Sequence, residues 1–176
     1  YAAATDYEQA QNAAEPISQT IENSEPLSRD TQIYKGINGT ISGALYRYNI
    51  DGIAYQNKFK VLSKNTKGLE GKNPYFVLND ELHAQENMDM YDNLKSAQVS
   101  REQPMMLNTS TAGKGASSVG MRVYKYAKQV LDNDNDDSLF VAIWEPNKNY
   151  DWENRKVWRM VNPNIGISVT MEQLET

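Results

Sequence analysis

The fold is predicted from the segment Pro74-Tyr75-Phe76-Val77-Leu78-Asn79-Asp80-Glu81-Leu82-His83. Residues 75–78 form a short apolar run with aromatic and β-branched members and no helical period, which predicts a strand buried on both faces. Two adjacent carboxylates, Asp80 and Glu81, follow this strand directly. Carboxylates in such a place are costly to desolvate unless they bind something positive. Because open α/β sheets bind ligands at the carboxyl ends of their strands, the pair is the first candidate site.

The carboxylate pair supports two interpretations, and the pair alone does not favour either of them. In nucleoside triphosphatases, an aspartate that holds Mg²⁺ on the phosphates precedes a glutamate that orients a water molecule. Acidic pairs also favour the first turn of a helix, and a helical-looking stretch follows Glu81. In the second interpretation, Asp80 and Glu81 cap a helix in a non-catalytic interaction module.

The composition is that of an ordinary globular protein. The 176 residues are enough for one domain with a real core, and 39% are hydrophobic and 23% charged. A net charge of -5 excludes a basic nucleic-acid module, so any contact with DNA is local or made by residues outside this chain. The sequence has no cysteine and a single histidine, which argues against disulfides, zinc sites and a Ser-His triad. No apolar run reaches membrane-spanning length, so no membrane partner is predicted.

Strands and helices alternate along the chain. Residues 1–4 look like the tail of a strand that enters a helix, so we expect the chain to begin inside a larger protein. The other predicted elements are strands at 44–49, 59–63, 105–107 and 139–144, helices at 86–100, 119–131 and 152–160, and loops at 23–30 and 64–72. This alternation predicts an α/β fold with a mostly parallel sheet flanked by helices.

A second strand end carries small polar residues. The predicted strand 105–107 runs into Asn108-Thr109-Ser110-Thr111-Ala112-Gly113. The next step, Gly113-Lys114, is not a phosphate-binding loop. Asn108 stands where that loop needs its first glycine, and Gly115 stands where it needs Ser or Thr. The sequence therefore has no Walker A motif, and no residue of this chain is assigned to binding the nucleotide phosphates.

Taken together, the two strand ends resemble the large subunit of the tailed-bacteriophage terminase, the DNA-packaging motor. In that family a Walker B strand ends in Asp-Glu, often followed by x-His, and a later strand ends in Thr/Ser-Thr-Ala-Gly, the ATPase coupling motif. This chain has Asp80-Glu81-Leu82-His83 and then Ser110-Thr111-Ala112-Gly113. The start of the chain, from Ala3-Ala4-Thr5 to Gln9-Ala10, looks like the step that follows Walker A. Asn162-Pro163-Asn164-Ile165-Gly166 looks like the family's Asn-Pro-x-x-Gly segment.

The resemblance covers nearly the whole chain and implies a P-loop NTPase core of the ASCE type without its phosphate-loop strand. Residues 1–160 would be a partial ATPase domain, and 161–176 would start the linker toward a nuclease domain outside this chain. Since the missing strand would lie between the neighbours of the Walker B strand, we expect unpaired backbone and exposed apolar side chains there. A helicase-like ATPase core is the alternative, but helicases carry Ser-Ala-Thr at the second strand end.

The resemblance also implies roles for individual residues. Asp80 would help to hold Mg²⁺, and Glu81 would orient the attacking water and accept its proton. Ser110 and Thr111 would sense the γ-phosphate and pass its loss to the next helix. His83 would bridge the two loops, or it is a polar residue on the first turn of a helix.

Further expectations follow from the family. ATP and Mg²⁺ would be the cofactors of the full-length protein, which would also be an endonuclease, while this chain alone would be inactive. The partners would be double-stranded DNA, the portal protein and the small terminase subunit, and the chains would form a homo-oligomeric ring in the cytoplasm of an infected or lysogenic bacterial host. Arg101 lies at the start of a strand, which places it opposite the nucleotide and gives it a structural role.

Overall fold

The structure is a computed structural model that describes residues 1–63, 72–113, 115, 118–133, 136–147 and 149–175. The chain divides into two compact units, Tyr1–Tyr126 and Ala127–Thr176. The first unit contains the sheet and both predicted strand ends, so the candidate site lies within that unit.

The described residues form six strands, six α-helices and a one-turn 3-10 helix. The strands are β1 (Ala2–Ala4), β2 (Thr31–Lys35), β3 (Ile41–Ile50), β4 (Ile53–Ser63), β5 (Phe76–Asn79) and β6 (Met105–Asn108). The helices are α1 (Tyr7–Asn23), α2 (Glu25–Asp30), α3 (Asp89–Ser96), α4 (Val119–Asn133), α5 (Arg155–Val161) and α6 (Met171–Leu174), with the 3-10 helix at Leu82–Ala84.

One sheet contains all six strands, in the order β2-β3-β4-β1-β5-β6. Strands β4, β1, β5 and β6 are parallel to one another, and β2, β3 and β4 pair antiparallel. The mostly parallel α/β sheet expected from the sequence is therefore confirmed. Because β5 and β6 are parallel neighbours, their carboxyl ends meet at one edge of the sheet.

Helix α1 covers one face of the sheet. Its Ala10 and Ala14 pack against Ala4, Ile41 and Val61, all of them buried. Small side chains on both sides allow the helix to lie close to the strands. This contact holds β1 in the middle of the sheet, although β1 is three residues long.

Helix α3 covers the opposite face, because neighbouring strand residues point to opposite sides. Met90 and Leu94 of α3 pack against Ala3, Leu62 and Val77. Val77 and Leu94 are almost completely buried. The predicted strand at 75–78 therefore forms as β5, one residue later, with Val77 under α3, but the expected burial on both faces is wrong because Phe76 on the other face is 42% exposed.

The start of α1 differs from the sequence pattern. Thr5-x-x-Glu8 predicts a capping box on Thr5, but the N-cap residue is Asp6, whose carboxylate accepts a hydrogen bond of 2.8 Å from the Gln9 amide. The helix also continues through Pro16 to Asn23. The loop predicted at 23–30 contains the short helix α2, with Pro26 in its first turn, where no amide donor is needed.

The predicted helix at 86–100 is shorter in the structure. It is α3, Asp89–Ser96, and Val99 beyond it is 87% exposed. The chain turns after Ser96, and the Gln98 side-chain amide donates to the carbonyl oxygens of Tyr75 and Met105 at 3.2 and 3.0 Å. These two hydrogen bonds fix the turn between α3 and β6.

Strand β6 forms as predicted but lies at the edge of the sheet, so it is not buried. Its Met105 and Leu107 are 61% and 48% exposed. Met105 pairs with Phe76 and Leu107 with Leu78, which places four apolar side chains on one face. Apolar side chains of β5 and β6 are therefore exposed, but the gap that was expected between the neighbours of the Walker B strand is absent, because β5 pairs with both β1 and β6.

The apolar run at 139–144 does not form the predicted strand. Its described residues make no ladder with another strand, and Phe140 and Trp144 are 91% and 57% exposed. An apolar run needs a neighbouring strand before it forms part of a sheet, and local sequence does not supply one. Most of the loop predicted at 64–72 lies outside the described residues.

The second unit contains capped helices and ion pairs. Asn154 caps α5, and Thr170 and Gln173 form a capping box on α6. Lys128 pairs with Glu145 at 2.9 Å. Helix α5 begins three residues after the predicted start at 152 and ends next to the predicted Asn162-Pro163 stop. In the described parts of both units, no helix is long and apolar enough to span a membrane.

Gly43 is predicted to be intolerant of any side chain. A Cβ at this position would lie 2.5 Å from the Phe59 carbonyl oxygen on the adjacent strand, and backbone atoms inside a sheet move little. We expect Gly43→Ala to lower the free energy of unfolding by about 1–3 kcal/mol. Thermal or urea unfolding measures the change. Gly36→Ala is the matched control, because its Cβ would meet the movable Thr40 hydroxyl. Equal stability of the two variants would contradict the prediction.

Candidate active site

The register of β5 and β6 brings the two predicted strand ends together. Asn79 pairs with Asn108, so the residues that follow each of them leave the sheet side by side. The Asn79 side chain is fully buried, donates to Asn108 Oδ1 at 3.0 Å and accepts from Gln85 Nε2 at 2.7 Å. The Leu82 amide also donates to the Thr109 carbonyl oxygen at 3.0 Å. This buried polar network fixes both loops relative to each other.

Asp80 is anchored through one carboxylate oxygen. Its Oδ1 accepts hydrogen bonds from the Glu81 amide at 2.9 Å and from the Thr109 hydroxyl. The Asp80 amide donates to the Ala3 carbonyl oxygen at 2.9 Å. The carboxylate is therefore held at the sheet edge, with Oδ1 oriented by its own loop and by the neighbouring one.

Glu81 has a backbone conformation that non-glycine residues rarely adopt. Its φ of 54° and ψ of 46° lie in the left-handed region. Such conformations cost free energy and concentrate at sites where a side chain must be aimed. The Glu81 carboxylate is 37% exposed and lies 3.2 Å from His83 Nε2.

His83 joins the first loop to the second. Its Nε2 faces Glu81, while its Nδ1 lies 3.3 Å from the Ser110 hydroxyl and 3.3 Å from the Thr111 hydroxyl. The His83 amide also donates to Ser110 Oγ at 3.1 Å. In the neutral tautomer protonated on Nε2, the ring donates to Glu81 and accepts from a hydroxyl. The imidazole thus connects the carboxylate with both hydroxyls.

Two glycines make the room that His83 occupies. A Cβ on Gly113 would lie 2.7 Å from the His83 Cβ, and a Cβ on Gly120 would lie 2.9 Å from the His83 Cα. Gly120 belongs to the first turn of α4. The second loop and the start of α4 therefore pack directly on His83, and a movement of His83 would displace both.

The structure does not support the helix-cap interpretation of the acidic pair. Glu81 precedes the 3-10 helix, but its side chain makes no capping hydrogen bond. The N-cap residue of α3 is Met88, eight residues after Asp80. The Asp80 carboxylate instead accepts from the neighbouring loop, as described above. The capping hypothesis therefore fails for both helices that follow the pair.

Thr109 is a site residue that sequence reasoning did not single out. Ser110 and Thr111, which the resemblance implies as sensors of the γ-phosphate, contact His83, and it is Thr109 that contacts Asp80. The pairing register of β5 and β6 would have indicated the contact between Thr109 and Asp80. If Asn79 and Asn108 are aligned as equivalent last residues of parallel strands, Asp80 and Thr109 become direct neighbours.

The donor set at Asp80 fits a magnesium ion that is shared with a nucleotide. Mg²⁺ in such sites is held by one or two carboxylates together with waters and substrate phosphates. The hydrogen bonds that described residues make to Asp80 reach Oδ1, and Thr109 adds a hydroxyl oxygen nearby. No cluster of three or more His, Cys, Asp or Glu side chains occurs among the described residues, so a cage built by this chain alone is not present there.

Arg101 lies at the other end of the sheet, as expected. Its guanidinium donates to the Asn73 carbonyl oxygen through Nε and Nη2, at 3.1 and 2.6 Å. Asn73 comes before β5, whereas Asp80 comes after it. Arg101 therefore fixes the chain at the entry to β5 and stands apart from the carboxylates.

Three comparisons relate the chain to known proteins. The family described as "Terminase large subunit, ATPase domain" matches residues 1–129. Protein YmfN of Escherichia coli (strain K12) is 29% identical over 109 residues, which cover 60% of this chain and 23% of that protein. The crystal structure of the HK97 bacteriophage large terminase superposes with a TM-score of 0.77 at 18% identity, over 98% of this chain and 34% of that chain. The structural match shows the fold, and this chain spans about a quarter to a third of these relatives.

Proposed function

Because the chain belongs to the terminase large subunit family, through its ATPase domain, we propose that it carries the hydrolytic and coupling residues of an ATP-driven DNA-packaging motor. The observation that supports this most directly is the link from Glu81 through His83 to the two hydroxyls of the next loop. The His83 side chain thereby joins Glu81, the group proposed to act on water, to Ser110 and Thr111 in the loop that leads to α4.

Glu81 is the proposed catalytic residue. Phosphoryl transfer depends mainly on positioning and on charge stabilisation. The left-handed backbone of Glu81 aims its carboxylate, and the contact with His83 fixes its rotation. From this position the carboxylate orients a water molecule toward the γ-phosphate and accepts its proton.

Asp80 is the proposed magnesium ligand, directly or through a water molecule. A bound Mg²⁺ would neutralise the charge that develops on the phosphate oxygens. The Thr109 hydroxyl and the Glu81 amide hold Asp80 Oδ1, so the carboxylate is oriented before any ion arrives. The phosphates themselves would be held by a Gly-rich loop that this sequence does not contain.

Ser110 and Thr111 are the proposed coupling residues, and Ala112 and Gly113 complete the motif. When the γ-phosphate is lost, the contact between Glu81 and His83 changes, and the shared Nδ1 transmits this to both hydroxyls. Gly113 and Gly120 place the loop and α4 in contact with the same imidazole. The proposed output is a displacement of α4 from one position to another.

The wider assignments follow from the family. We propose that the full-length protein uses ATP and Mg²⁺, acts on double-stranded DNA with a portal protein and a small terminase subunit, assembles as a ring, and cuts DNA through an endonuclease domain. Its place of action would be the cytoplasm of a phage-infected or lysogenic bacterium. Each of these is a property of the whole motor, of which this chain would supply one part.

A direct test compares the 176-residue chain with the full-length protein. We expect calorimetric titration with Mg-ATP to show weak or no binding to the chain alone, because one carboxylate pair cannot replace a cradle of backbone amides and a lysine. The full-length protein is expected to bind Mg-ATP and to hydrolyse it faster when duplex DNA is added. Tight, Mg-dependent binding with steady turnover by the chain alone would show that the nucleotide site has been misassigned.

A further inference from the structure

The longest hairpin of the sheet extends beyond the strands on either side of it. β3 and β4 have 10 and 11 residues and pair without interruption from Gly43 with Lys60 to Ile50 with Ile53. The pairing of β2 ends at Tyr46, and β1 pairs with residues 61–63 of β4. Residues 47–56, here named the ribbon, therefore have no third strand in the described part of the chain.

One face of the ribbon is stiffened by stacked tyrosines. The Tyr46 and Tyr48 rings lie 5.4 Å apart, and the Tyr48 and Tyr55 rings lie 5.5 Å apart, each pair inclined by 18°. An isolated two-stranded hairpin is marginally stable in water, and cross-strand aromatic pairs stabilise it. Because these rings stack on one another, their role is to hold the ribbon straight.

A tight turn closes the end of the ribbon. Asp51 and Gly52 both have positive φ, 51° and 82°, and the Gly52 amide donates to Asn49 Oδ1 at 2.8 Å. A two-residue loop of this kind matches the twist of the strands. The structure therefore presents an arm whose end is marked by the exposed pair Ile50 and Ile53.

The opposite face of the ribbon and of its base is basic. Arg47 pairs with Gln56, Leu45 with Lys58, and Gly43 with Lys60, so the three cations share one face. They are named here the basic face: Arg47, Lys58 and Lys60. Lys58, Lys60 and Lys72 line one groove of about 430 Å³ with Tyr34 and Gln56.

Charge on this face is not compensated within the described chain. No carboxylate of a described residue lines the groove, and Arg47, Lys58, Lys60 and Lys72 form no ion pair with a described residue. Arg47 also lines a second groove with the tyrosines, Arg29 and Asp30, and there the Asp30 carboxylate is bound to Arg29 at 2.9 Å. A concentrated positive face on a chain of net charge -5 indicates a local polyanion site.

We propose that the basic face of the β3–β4 ribbon binds the phosphate backbone of duplex DNA. This rests on the proposed function, which requires duplex DNA as the moving partner. The two-stranded ribbon is narrow enough to enter the major groove, where Arg47 reaches phosphates at the groove walls, while Lys58 and Lys60 at its base reach phosphates of the flanking backbone. Binding through phosphates does not depend on sequence, which suits a motor that must accept every segment of a genome.

The test measures binding of a fluorescent duplex of about 20 base pairs to the full-length protein by anisotropy at several salt concentrations. The variant carries Arg47→Ala, Lys58→Ala and Lys60→Ala. We expect its affinity to fall about 10-fold or more, and the slope of log affinity against log salt to become shallower by about 2–3, roughly 0.9 per lost phosphate contact. The matched control, Lys95→Ala with Arg122→Ala and Lys125→Ala, removes the same charge from exposed residues elsewhere and is expected to bind normally.

Two further measurements make the outcome unambiguous. The charge-retaining variant with Arg47→Lys, Lys58→Arg and Lys60→Arg should keep the salt slope, which separates lost charge from lost folding. ATP hydrolysis without DNA, measured on the same samples, tests the proposed catalytic function independently of the ribbon. Equal DNA affinity of the alanine variant and the control would overturn the proposal. Binding of polyglutamate is measured in the same way. An alanine variant that loses binding to polyglutamate but binds DNA normally would also overturn the proposal and would indicate an acidic protein partner.

Discussion

Replacing Glu81 by glutamine in the full-length protein is expected to reduce ATP turnover by about 10²–10⁴-fold while leaving ATP binding nearly unchanged. Glutamine has the same shape and can still accept a hydrogen bond from His83 Nε2 through its amide oxygen. It cannot accept a proton from the attacking water. The loss should therefore fall on kcat and not on nucleotide affinity, as is expected when an interaction made only in the transition state is removed.

Asp80→Asn gives the comparison that separates the two carboxylates. The new amide side chain would keep an oxygen for Thr109 and the Glu81 amide but would lack the negative charge, so we expect weaker Mg-nucleotide binding as well as slower turnover. Glu102→Gln, an exposed carboxylate on the segment before β6, is the control for charge. Affinity from calorimetry and turnover from steady-state phosphate release are measured for all three variants. Wild-type hydrolysis by the Glu81 variant would show that the catalytic assignment is wrong.

The parts of the fold that were predictable are those in which local sequence determines local structure. The apolar run before Asp80 predicts β5 because it is short, rich in aromatic and β-branched residues and without helical period, and the sequence predicts α4 to within two residues of its end because its apolar residues recur at helical spacing. The turn at Asp51 and Gly52 follows from the ease with which these residues adopt positive φ.

The parts that were not predictable depend on which elements become neighbours. Met105 and Leu107 have the composition of buried strand residues, and their exposure results from the position of β6 at the sheet edge. The run at 139–144 is equally apolar but has no strand partner among the described residues. Within the site, the contact between Thr109 and Asp80 depends on strand register, which composition and spacing do not fix.

Removing both coupling hydroxyls, with Ser110→Ala and Thr111→Ala together, is expected to reduce DNA packaged per ATP hydrolysed by about 10-fold or more, with ATP binding nearly unchanged. Both hydroxyls lie 3.3 Å from the same nitrogen of His83. Without them, the imidazole keeps its contact with Glu81 but has no side-chain partner on the second loop. A change at Glu81 would then reach His83 but not the second loop, so ATP would be hydrolysed without moving DNA.

The shared nitrogen makes a sharper prediction about the single variants. Because either hydroxyl can serve Nδ1, Ser110→Ala and Thr111→Ala should each have a small effect, and the double variant should lose more than the sum of the two. The control, Ser110→Ala combined with Thr111→Ser, keeps one hydroxyl and should package DNA about as well as Ser110→Ala alone. His83→Ala should reproduce most of the loss of the double variant, and adding the double change to it should cost only what the hydrogen bond from the backbone amide of residue 83 to Ser110 Oγ contributes. Packaging yield and ATP consumption measured together give the DNA packaged per ATP hydrolysed for each variant. Additive effects of the single variants would mean that the hydroxyls act separately and not through His83.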